Sequence, residues 1–131
     1  MSDERDQPKD DGRMRALVEV VTENGFSIVR LSDLEKRLPC VPYEYHFMVR
    51  SPDGIERNIT VRFSNEAISL VQLRRRPPLT CVSSYWISCA ERSLATYLLE
   101  KNHFPPDEKF ILEELCLDEL EIARRWYEVL W

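Results

Sequence analysis

The sequence predicts an α+β fold, a three- to four-stranded antiparallel meander with helices packed mainly on one face. Three observations carry that expectation. Residues 43–74 alternate in polarity between compact turns, the stretches on either side repeat apolar residues at helical spacing, and 131 residues at 44% hydrophobic content can bury a core without disulfides or a metal.

Residues 1–12 are polar, acidic and contain Pro8, so a disordered tail is expected there, leaving 13–131 as a single domain. A first helix is expected at about 12–24, where Met14, Leu17, Val18 and Val21 form a stripe and Gly25 follows as a residue able to take positive φ. Residues 26–31 alternate weakly and read as a short strand. Ser32-Asp33-Leu34-Glu35 fits the capping-box pattern, in which the serine oxygen accepts a backbone N–H and the glutamate reaches back, so a short helix runs to Leu38 before Pro39 and Pro42 end it.

The meander begins at Tyr43. Tyr43, Tyr45, Phe47 and Val49 share one face, and Glu44, His46, Met48 and Arg50 the other. Ser51-Pro52-Asp53-Gly54 makes the turn, with proline pre-setting φ and Gly54 free to take positive φ. On the return strand Ile55, Arg57, Ile59, Val61 and Phe63 oppose Glu56, Asn58, Thr60 and Arg62. A third strand is expected at 67–73, where the apolar residues fall in both phases and imply a bulge or burial on two faces. The polar face of the sheet, with His46, Arg50, Asn58, Thr60 and Arg62, is left without an obvious cover.

Arg74-Arg75-Arg76-Pro77-Pro78 cannot continue a central strand, because proline removes donors. Ser83 or Ser84 caps a helix expected at about 84–102, with Trp86, Ala90, Leu94, Tyr97 and Leu98 on one face. Residues 109–113 are the candidate fourth strand. Asp118 and Glu121 open a last helix at about 118–130, where Leu120, Ala123, Trp126, Tyr127 and Leu130 recur at helical spacing and Trp131 follows.

Composition narrows the function. Three glycines in the chain, none in a GxGxxG or GxxxxGK[ST] pattern, disfavour the common nucleotide sites. Cys40, Cys81, Cys89 and Cys116 contain no CxxC pair and sit among apolar neighbours, which reads as buried reduced thiols. A cysteine-dependent enzyme would need Cys40 with His46 or Cys89 with His103, neither in a nucleophile signature. The two histidines lie far apart in sequence, so no metal site and no cofactor is expected. Adjacent acids such as Asp118 and Glu119 read as a solvated face rather than an acid and base pair. The absence of an apolar run of spanning length or a signal-like N-terminus places the chain in the cytoplasm, away from the membrane.

Two positive signals remain. Trp126, Tyr127, Leu130 and Trp131 offer more apolar surface than one face of a terminal helix needs, which points to self-association or a protein partner. Core packing is the plainer reading of the same residues. Arg62 with Arg74, Arg75 and Arg76 could bind phosphate or nucleic acid, yet a net charge of −5 disfavours counterion-driven binding. The order of elements over residues 13–131 in a small acidic chain is similar to that of type III secretion chaperones. That resemblance rests on element order and composition, carries no motif, and implies a dimeric, non-enzymatic binder; the helix expected at Ser32 departs from it. A non-enzymatic protein-binding or chaperone-like module is therefore the leading expectation.

Overall fold

A computed structural model describes residues 19–31 and 41–126. The expected tail, the helix residues before Glu19, the short helix at Ser32, Cys40, Tyr127, Leu130 and Trp131 lie outside the described residues.

Five strands form one mixed sheet, in spatial order β1 (Glu19–Val21), β2 (Ser27–Arg30), β3 (Glu44–Arg50), β4 (Glu56–Phe63) and β5 (Lys109–Leu112). Among the described residues three α-helices complete the α+β architecture: α1 (Asn65–Gln72), α2 (Ser84–Lys101) and α3 (Leu117–Arg125). The first four strands are antiparallel neighbours, whereas β5 runs parallel to β4. The expected purely antiparallel sheet is corrected on this point. A parallel neighbour needs a crossover, and the segment carrying α1 and α2 supplies it.

The expected helix at 12–24 is corrected where it is described. Residues 19–21 form β1, paired with β2 through Glu19↔Val29 and Val20↔Ile28. Thr22 closes this hairpin: its N–H donates to the Phe26 carbonyl at 2.8 Å, and its hydroxyl accepts from the Phe26 N–H at 3.0 Å. Gly25, at φ +97°, makes the reversal rather than ending a helix. Consecutive β-branched residues suit the pleat better than the helix, and a strand partner was available.

The expected third strand at 67–73 is also corrected, to α1. Ser64 accepts from the Ala67 N–H at 3.1 Å as N-cap, and Glu66 sits in the first turn. Ala67 and Val71, one turn apart, are buried and Ile68 packs beside them, while Leu70 and Leu73 face solvent, so the run that read as two strand phases divides into an inner and an outer face of a helix.

The 43–63 hairpin forms as expected, with Phe47↔Ile59 and Val49↔Arg57 opposite one another. The turn closes through Gly54 N–H to the Ser51 carbonyl at 2.9 Å and Ser51 N–H to the Ile55 carbonyl at 2.8 Å.

α2 matches its expected span. Ser83 accepts from the Tyr85 N–H, Asn102 ends the helix in the left-handed region at φ 59°, and the Asn24 side chain donates to the last-turn carbonyl of Leu98 at 3.0 Å. Trp86 lies at the centre of the core, with ring centroids of Tyr43, Phe63 and Tyr85 at 4.9, 5.2 and 5.4 Å. Its indole N–H donates to the Thr80 carbonyl at 3.0 Å, so burial leaves no polar atom stranded. α3 stops earlier than the expected 118–130, because Trp126 is extended at φ −63°, ψ 129°.

Candidate functional site

The apolar phase of the sheet packs under the helices, so the polar phase faces away. Asn58 and Arg62 are exposed there, while Met48 and Thr60 are half-buried among their neighbours. The Thr60 hydroxyl lies 3.2 Å from His46 Nδ1 across the β3–β4 pair.

The arginine cluster expected from sequence is divided. Arg62 lies on the polar phase of β4, whereas Arg75 reaches the other side of the sheet and donates to the carbonyls of Ala123, at 3.1 Å, and Trp126. These are the last carbonyls of α3, where the helix dipole favours a cation, so Arg75 acts as a tertiary C-cap. Arg74 and Arg76 remain exposed, and a groove of about 320 Å³ runs between Gln72, Leu73, Arg75, Arg76, Pro77 and Pro78.

The same end of the molecule presents apolar side chains to solvent. Leu73 is 83% exposed and Val82 86% exposed, both on the α1–α2 connection. That connection is tied down by Gln72, whose side chain donates to the Leu79 carbonyl at 2.8 Å and accepts from the Leu79 N–H at 2.9 Å. Trp126, adjoining through Arg75, is half-buried with its ring 5.6 Å from that of Tyr85.

The cysteines divide as well. Cys89 is buried as expected, but Cys81 and Cys116 are exposed. Cys81 sits in the loop before α2 and Cys116 is the N-cap of α3, and each has an exposed apolar neighbour, Val82 and Leu117. Burial, and then the nearby Glu119 carboxylate, push the Cys89 thiol up to about 12, the reverse of what a nucleophile needs at neutral pH. His103 lies beyond the C-cap of α2, roughly 20 Å along the helix from Cys89 at 1.5 Å per residue.

Sequence reasoning missed the polar cluster around that thiol. Arg92 donates to Glu119 from Nε at 2.7 Å and from a terminal nitrogen at 2.6 Å, and the Tyr85 hydroxyl donates to the Glu119 carbonyl at 3.0 Å. Glu119, expected on a solvated face, is buried. Its signal was present: positions 119 and 123 lie one turn apart on the inward face of α3. Arg30 makes a second forked pair, with Glu91 of α2, at 3.0 and 2.9 Å.

An open cleft of about 610 Å³ lies between Arg57, His103, Phe104, Pro105, Asp107 and Glu108. Arg57 stands 5.5 Å from the Phe104 ring centroid, and Asp107 and Glu108 are both left-handed, at φ 57° and 58°. Among the described residues no group of three or more His, Cys, Asp or Glu side chains could hold a metal, and no helix is long and apolar enough to cross a membrane. No protein-family model, curated protein or solved structure matches this chain.

Proposed function

We propose that this chain is a small non-enzymatic protein-binding module of chaperone-like kind, acting in the cytoplasm and self-associating. The observation that carries the reading is the solvent exposure of Leu73 and Val82 on a connection held in place by Gln72. Large apolar side chains on a tethered segment offer a partner buried area without the entropy of ordering a mobile loop. Trp126 adjoins this end, and Tyr127, Leu130 and Trp131 follow it in sequence, adding aromatic groups of the kind that anchor interfaces.

Aggregation of reduced insulin, followed by light scattering, tests the reading. The wild-type protein at equimolar ratio is expected to suppress scattering, and the Leu73→Ser/Val82→Ser double variant to lose most of that effect at unchanged unfolding midpoint. Suppression no better than that of an inert protein overturns it.

A second reading draws on Arg76, which lines the groove, together with the exposed Arg74 two residues before it; their guanidinium groups could hold a phosphate. It predicts salt-sensitive binding of a short RNA oligonucleotide that Arg74→Glu/Arg76→Glu abolishes; absence of binding at low salt removes it.

A further inference from the structure

We propose that a second copy of this chain docks on the free edge of β5, the two β5 strands running antiparallel about Ile111 and joining two five-stranded sheets into one. The inference rests on the self-association reading above and names the surface through which it occurs.

Among the described residues β5 closes one end of the sheet and is paired on one side only. The direction of its backbone groups follows from one hydrogen bond. The Leu112 carbonyl accepts from Ser64 N–H at 2.9 Å, on the β4 side, so the Glu113 N–H, antiparallel to that carbonyl across a trans peptide, points away from β4. By the alternation of a strand, the N–H and C=O of Ile111 and the C=O of Lys109 point away too. The Lys109 N–H donates instead to the Pro106 carbonyl. Among the described residues nothing bonds to the four outward groups.

A two-fold axis at Ile111 satisfies all of them. Ile111 N–H and C=O exchange bonds with their own copies, and each Glu113 N–H reaches the Lys109 carbonyl of the partner, giving four hydrogen bonds. The side chains agree with this register. Phe110 and Leu112 pack toward the core, which places Lys109, Ile111 and Glu113 on the opposite face. Across the axis Lys109 then stands opposite Glu113 of the partner, twice, with the exposed Ile111 pair between. A lysine on an edge strand ordinarily discourages strand addition; here the second copy supplies its counter-charge. The opposite edge of the sheet, β1, has Glu19 and Val21 on its outer phase and, among the described residues, lacks such self-complementarity.

Sedimentation equilibrium on the full chain over a wide concentration range tests the proposal. The wild type is expected to dimerise. Lys109→Glu and Glu113→Lys should each raise the dissociation constant at least about ten-fold, because each converts two opposite-charge pairs into like-charge pairs. The double exchange Lys109→Glu/Glu113→Lys should return it to within about three-fold of wild type, which a merely misfolded variant would not do. A monomer at every concentration overturns both this proposal and the self-association reading. A dimer indifferent to both single reversals overturns the β5 edge alone, and mass that grows without limit points to head-to-tail β1–β5 pairing and likewise overturns it.

Discussion

Arg92 on α2 grips Glu119 on α3 with two hydrogen bonds of 2.7 and 2.6 Å, and the two side chains differ in access to water, Arg92 being 40% exposed and Glu119 12%. The pair joins two helices that share the core with Tyr85 and Cys89. The asymmetry decides what each substitution does. Arg92→Met strands a carboxylate with little water and should cost about 2 kcal/mol, whereas Glu119→Gln leaves an arginine that can turn to solvent and should cost about 1 kcal/mol. Urea unfolding midpoints of the two variants check the order; the reverse order would contradict the assigned burial.

Alkaline pH should destabilise the fold through the same cluster. The Cys89 thiol is raised from its usual value near 9 to about 12 by burial, and Tyr85 is raised by burial and by Cys89. A raised acid keeps its proton in the folded state while the unfolded chain releases it. Stability is therefore complete below pH 9 and lost as pH rises toward 12, by up to about 1.4 kcal/mol per pH unit for each proton. Cys89→Ala should flatten that slope. Denaturant midpoints between pH 8 and 11 measure it, and a flat wild-type profile would contradict the burial of the thiol.

Thiol reactivity should follow exposure. Cys81 and Cys116 are expected to react with a disulfide reagent in the native protein, and Cys89 only on unfolding. Mass mapping of the labelled cysteines gives the answer, and rapid native labelling of Cys89 would refute it.

Gly25 and Gly54 both hold positive φ, at +97° and +91°, but only at Gly25 would a Cβ meet a neighbour, Pro52 Cγ at 3.1 Å. The β1–β2 turn thus packs on the β3–β4 turn. Gly54→Ala should cost about 1 kcal/mol for backbone strain and Gly25→Ala about 2, since contact adds to strain. Thermal denaturation of the pair distinguishes them.

Arg75→Ala removes the donor that holds the Ala123 and Trp126 carbonyls. A loss of about 1–2 kcal/mol is expected, with faster amide exchange confined to the last turn of α3. Exchange that rises evenly over the whole molecule would show that Arg75 does not act as a cap.

The 43–63 hairpin and α2 were legible because local signals agreed. Alternation and the Ser51-Pro52-Asp53-Gly54 turn pointed to the same strands, and Ser83 with the Trp86 stripe pointed to the same helix. Residues 19–21 and 67–73 were misread because short apolar runs fit either period, and the partner decides between them. β2 drew Glu19–Val21 into a strand, while the Ser64 cap and α3 made 65–72 a helix.

By itself the sequence determined the α+β class, the central hairpin with its turn, the span of α2 and the position of β5, because each depends on interactions within a few residues. Only the tertiary structure decided that β5 runs parallel to β4, that Arg62 and Arg75 part company across the sheet, that Glu119 is buried with Arg92, and that the Ile111 edge has no strand partner among the described residues. Those outcomes depend on which distant segments meet, and no local periodicity records that choice.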